Sequence, residues 1–161
     1  MHCAERNKPS NTARLVCRSL PNSEIRYQGE IGRPLDLSGL DDPNRELLIL
    51  YPEASAAPLT KESVERLKKP VTLLVPDGTW KQAKKIAAYA THIPGAHRVC
   101  VPSAEPSRYR LRTPDRANQL CTLEAIARAL EVLDGKDVRD KLEALLEEMV
   151  ERVLKSRSRP R

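Results

Sequence analysis

Val71-Thr72-Leu73-Leu74-Val75-Pro76-Asp77-Gly78-Thr79-Trp80-Lys81-Gln82-Ala83 decides how this chain folds. Val71 to Val75 is a continuous apolar run, the pattern of a strand buried on both faces. Pro76 ends it. Asp77 or Thr79 supplies a helix N-cap, Gly78 relaxes the turn, and a helix is predicted from Trp80 to about Ala90. A buried strand that passes straight into a helix is the repeating step of a parallel sheet.

The same step recurs on either side. Residues 46–51 (ELLILY) read as a second buried strand, ended by Pro52; Thr60 caps a helix running to about Lys68, which Pro70 blocks. Downstream, residues 97–101 (HRVCV) read as a third strand. Further out lie a helix over residues 11–20 stopped by Pro21-Asn22, and a short strand over residues 24–27. A helix over residues 122–133 is closed by Asp134-Gly135. The last helix is opened by Asp137 and reaches about Lys155, with Leu142, Leu145, Leu146, Met149 and Val153 on its apolar face. Strands apolar on both faces, alternating with helices, predict an α/β fold: a mostly parallel sheet flanked by helices. In such sheets ligands collect at the carboxyl ends of the strands, beside helix N-termini.

Size and composition narrow the function classes. The 161 residues suit one domain, and no apolar run reaches the length of about 20 residues that spans a bilayer. The opening Met1-His2-Cys3-Ala4-Glu5-Arg6 is charged at once, which argues against a secretory signal. Cys3, Cys17, Cys100 and Cys121 form no Cys-x-x-Cys pair, so reduced, buried thiols in a cytoplasmic protein are expected. The formal charge of +6, from 28 Lys and Arg against 22 Asp and Glu, suits a polyanionic partner. The tail Lys155-Ser156-Arg157-Ser158-Arg159-Pro160-Arg161 reads either as a basic arm or as a frayed terminus.

Three polar stretches carry the candidate chemistry. Asp77-Gly78-Thr79-Trp80 sits at a strand-to-helix turn, where capping alone accounts for its residue types. Ser107-Arg108-Tyr109-Arg110-Leu111-Arg112 interleaves three arginines with a tyrosine, a pattern for clamping phosphates and stacking a base, or simply a solvated loop. Cys121-Thr122-Leu123-Glu124 opens a helix, with Glu124 near the positive end of its dipole.

Together, in this order and spacing, Asp77-Gly78-Thr79-Trp80-x-x-Ala83, Ser107-x-Tyr109-x-x-Arg112-x-Pro114, and Leu120-Cys121-Thr122-Leu123-Glu124-Ala125 resemble the DTW-domain family. His2-x-x-Glu5 followed by Asn11-Thr12-Ala13-Arg14 is similar to that family's first segment, and Leu50-Tyr51-Pro52 to the strand end after it. The resemblance covers about His2 to Leu133. It implies one DTW domain over residues 1–155, followed by a basic tail at residues 156–161. Two departures stand out. Many relatives carry a Cys-rich, zinc-binding stretch before the first segment, which this sequence does not show, so no metal is expected. Cys121 stands where relatives often have serine.

The family contains tRNA-uridine aminocarboxypropyltransferases and is related to SPOUT-type RNA methyltransferases. The resemblance therefore implies a SPOUT-like fold with a C-terminal trefoil knot, S-adenosylmethionine as co-substrate, and tRNA as partner. It implies transfer of the 3-amino-3-carboxypropyl group to N3 of a uridine, with 5′-methylthioadenosine released. Asp77 would be the catalytic residue, either accepting the N3 proton or fixing the base or the donor's amino group. Thr79, Trp80, Ser107, Tyr109, Arg112, Thr122 and Glu124 would line the donor site. Arg112 and Arg14 could each hold the donor carboxylate or an RNA phosphate, and Arg14, Lys81, Lys84 and Lys85 would meet RNA. A cytoplasmic monomer without a membrane or obligate protein partner is expected. The competing readings are a knotted RNA methyltransferase, a non-catalytic RNA-binding domain, and a plain structural α/β domain.

Overall fold

The computed structural model describes residues 1–102, 105–111 and 119–158. They form two compact units. One comprises Met1–Lys8 and Glu24–Pro102, the other Pro9–Ser23 and Ser103–Arg161.

The first unit is built on a sheet. Its elements are β1 (Glu46–Leu50), β2 (Ala57–Pro58), α2 (Lys61–Glu65), β3 (Val71–Leu74), α3 (Trp80–Ala90) and β4 (Ala96–Cys100). All four strands run parallel, in the order β2-β4-β1-β3. β1 is central: Leu48 stands opposite Leu73 on one side and His97 on the other. This matches the continuous apolar run at residues 46–51, because a strand covered on both faces has no side that needs to be polar. On one face, Ile49 and Tyr51 pack with Ala83, Ala87 and Ala90 of α3, joined by Leu74, Ile93 and Ala96. The three alanines let the helix lie close to the sheet.

Three details differ from the sequence reading. Residues 24–27 form no strand; one parallel bridge between His2 and Gln28 stands there instead. β2 has two residues, one a proline, which is too short for any periodic signal. The helix after Thr60 stops at Glu65 rather than near Lys68, although Thr60 and Ser63 cap it reciprocally.

The second unit is helical among its described residues, with α1 (Thr12–Ser19), α4 (Thr122–Leu133) and α5 (Lys136–Arg157). Asn11 caps α1 by accepting from the Arg14 N–H at 3.0 Å. α4 and α5 form a helical hairpin that turns at Gly135, whose φ of 106° suits a residue without Cβ. Val16, Leu123, Ile126, Leu142, Leu146 and Val150 are buried in this unit. Val150 continues the Leu142 and Leu146 stripe at four-residue spacing and is more buried than the flanking Met149 and Val153.

Candidate active site

The turn after β3 lies at the carboxyl edge of the sheet. Asp77 is 8% exposed, and its main-chain oxygen accepts from the His2 N–H at 2.8 Å. Gly78, at φ 151°, separates it from the helix. A Cβ there would come within 2.9 Å of Gln82 Oε1 and 3.3 Å of His2 Cβ, so a side chain would be strained and would displace its neighbours. Thr79 caps α3: its Oγ1 accepts from the Gln82 N–H at 3.4 Å, and Gln82 Oε1 accepts from the Thr79 N–H at 2.8 Å. That is a Thr-x-x-Gln capping box. The sequence reading named Thr79 and missed Gln82, although the spacing was visible.

Trp80 begins the helix and stays 45% exposed. Its ring lies 6.3 Å from that of Tyr51, tilted by 58°. Tyr51 follows β1 and is itself buried, which raises its hydroxyl pKa, with Glu53 adding to the effect. The carboxyl ends of the two neighbouring strands β1 and β3 thus bring together a buried carboxylate and a half-exposed indole. Such a corner can stack a planar ring and accept a proton or an ammonium group. Lys81, Lys84 and Lys85 point outward from the same helix, and α3 carries no acidic residue. Lys85 Nζ lies 5.9 Å from the exposed Tyr89 ring.

In the helical unit, Glu124 is the organising group. It is 2% exposed. Its carboxylate accepts from Ser107 Oγ at 2.7 Å, the Arg108 N–H at 2.6 Å and the Cys121 N–H at 2.8 Å. The third bond caps α4; the first two fasten the loop that precedes it. Ser107 Oγ also accepts from the Tyr109 N–H at 3.1 Å, and the Tyr109 hydroxyl donates to the Ser10 main-chain oxygen at 2.7 Å. Thr12 Oγ1 accepts from the Leu123 N–H at 3.3 Å. Ser107, Tyr109 and Glu124 therefore belong to one hydrogen-bonded region; Thr122 is the first residue of α4, and Arg14 sits in the first turn of α1. Arg108 reaches α5, pairing with Glu147 at 2.7 Å. Arg112 lies outside the described residues.

Burial and the nearby Glu124 carboxylate push the Cys121 thiol up to about 12, so it is neutral at physiological pH and no nucleophile. Among the described residues no cluster of three or more His, Cys, Asp or Glu side chains could hold a metal ion. No described helix is long and apolar enough to cross a membrane.

Sequence reasoning could not find the clamp that Glu124 makes, since its loop partners lie 16 and 17 residues away in the chain. Nor could it place His2 against the Asp77 turn.

Comparison with known proteins gives a consistent picture. The model of the DTW domain family matches residues 1–154. The chain is 33% identical over 141 residues to a Drosophila melanogaster protein named tRNA-uridine aminocarboxypropyltransferase 2, covering 84% of this chain and 55% of that one. Proteins of the same name from Macaca fascicularis and Mus musculus are 33% and 30% identical, each aligned over 83% of this chain and 46% of their own length. The chain thus spans about half the length of the curated relatives it matches. No solved structure matches it.

Proposed function

The chain belongs to the DTW domain family, and from that premise we propose that it transfers the 3-amino-3-carboxypropyl group of S-adenosylmethionine to N3 of a tRNA uridine. The observation that carries this reading is the buried Asp77 beside the half-exposed Trp80, at the carboxyl ends of adjacent parallel strands. The names of the relatives support it. S-adenosylmethionine supplies an electrophilic methylene next to a sulfonium. As the bond from uracil N3 to that methylene forms, the methylene–sulfur bond breaks; sulfur keeps the electron pair and leaves within 5′-methylthioadenosine.

This chain's residues do the rest. Asp77 takes the N3 proton or holds the base in line, and Thr79 and Trp80 shape the pocket for the donor. Ser107, Tyr109, Arg112 and Thr122 line the donor loop, whose shape Glu124 maintains. The chief contribution is positioning, with nucleophile and carbon about 3–3.5 Å apart and aligned. Arg14, Lys81, Lys84 and Lys85 meet the tRNA backbone in a salt-dependent way.

We extend the proposal to a SPOUT-like fold with a C-terminal trefoil knot, supported by the all-parallel sheet; a crystal structure whose chain threads no loop after β4 would contradict it. A single domain over residues 1–155, a basic tail at 156–161 and a cytoplasmic monomer complete it. Light scattering in solution checks the monomer.

The activity is tested with tRNA and donor labelled separately in the methionyl chain and in the methyl group. The proposal expects only the first label in RNA. Methyl label in RNA would instead mark a methyltransferase, and no label in RNA with no donor bound would mark a non-catalytic RNA-binding domain.

A further inference from the structure

Two arginines of the helical unit, Arg139 partly buried and Arg128 buried, have opposite surroundings. The Arg139 side chain on α5, 15% exposed, donates to three carboxylates: Glu131 at 2.7 Å, Glu143 at 2.8 Å and Glu105 at 2.5 Å. Arg128 on α4 is 7% exposed. Its Nη2 donates to the main-chain oxygen of Glu105 at 3.0 Å, and its Nε is buried without an acceptor. Among the described residues no carboxylate lies within ion-pair distance of it. The Glu105 carboxylate, which feels its charge, is bound to Arg139.

A guanidinium cannot shed its proton to escape burial, and it carries five donors. A buried charge without a counter-ion is far more costly than a paired one. Arg128 is therefore short of an anion. It follows Glu124 by four residues, on the same face of α4. The loop fastened to that face by Glu124 through Ser107 and Arg108 is the loop whose Glu105 oxygen Arg128 holds.

We propose that Arg128 anchors the α-carboxylate of the 3-amino-3-carboxypropyl group. This rests on the donor assignment above and deepens it by naming the residue that would recognise the part of the donor that is transferred. Guanidinium suits a carboxylate because its donors match both oxygens. An RNA phosphate offers the same oxyanion chemistry, and calorimetry without RNA separates the two sources: a phosphate anchor leaves the preference for the carboxylate-bearing donor intact in Arg128→Gln.

Calorimetry compares wild type, Arg128→Gln and Arg128→Lys with S-adenosylmethionine, its decarboxylated analogue and 5′-methylthioadenosine. Charge-assisted hydrogen bonds of this kind correspond to a preference of roughly 10-fold to 150-fold for the carboxylate-bearing donor. Wild type should show that preference. Arg128→Gln should lose it while keeping its affinity for 5′-methylthioadenosine and its melting temperature, and Arg128→Lys should recover part of it. Two results would overturn the inference alone: a preference that survives in Arg128→Gln, or equal weakening of all three ligands in both variants. Wild type binding none of the three ligands would instead bring down the donor assignment itself.

Discussion

The starts of α3 and α4 are built alike and put their side chains to different uses. Each opens with a capping residue answered three positions later by a side-chain oxygen, Gln82 for Thr79 and Glu124 for Cys121. At α3 the answering group is a neutral amide that closes the turn on itself and leaves Asp77 and Trp80 at the sheet edge. At α4 it is a carboxylate, and it holds Ser107 and Arg108 as well as the cap. The proposed function gives the first carboxylate, Asp77, a chemical role, whereas the second, Glu124, fastens a loop and a cap. Acidic residues near helix N-termini thus cannot be assigned roles from position alone.

The comparison is sharpened most by Asp77→Asn, which keeps the shape of the turn and removes its ability to take a proton. Single-turnover transfer to tRNA should fall by about 10²–10⁴-fold in a variant that still unfolds cooperatively. Transfer at the wild-type rate would remove Asp77 from the chemistry. Glu124→Ala should show the reverse emphasis. Three donors lose one acceptor, costing about 2–4 kcal/mol, which corresponds to a fall of roughly 5–15 °C in melting temperature. An unchanged melt would mean that the clamp contributes little.

The sequence made the sheet side of this contrast readable and hid the other. The continuous apolar runs at 46–51 and 71–75 announced parallel strands, and Thr79 announced the helix start, because both signals lie within a few residues. β2 escaped because two residues have no period. The stretch at 24–27 was misjudged because Ile25 and Tyr27 alternate like a strand, yet the segment makes only one bridge, from Gln28 to His2. Glu124 looked like a dipole-stabilising residue; its loop partners are distant in sequence and only the folded chain brings them to it. That Arg128 has no counter-ion among the described residues is likewise a property of packing, invisible in the string of letters.

A smaller effect separates the two caps by pH. The Cys121 thiol is held neutral in the fold up to about 12, against an ordinary value of 9.0. The unfolded chain ionises this thiol first, so the stability it contributes is complete below pH 9.0 and is lost as pH rises toward about 12. Urea midpoints followed across that window should fall less steeply for Cys121→Ser than for wild type; parallel curves would contradict the assigned environment. The smallest change is expected for Gln82→Ala, which removes half of the α3 capping box at a partly exposed site. About 0.5–1 kcal/mol of stability should go, seen in the same urea titration. A loss several times larger would show that Gln82 supports more than the cap.

The most direct test of the central claim is mass spectrometry of tRNA nucleosides and small-molecule products after incubation with S-adenosylmethionine, for wild type and Asp77→Asn side by side. The account predicts 3-(3-amino-3-carboxypropyl)uridine and an equal amount of 5′-methylthioadenosine from wild type, and neither from a folded Asp77→Asn. Methylated uridine with S-adenosylhomocysteine from wild type, or equal yields from both proteins, would contradict it.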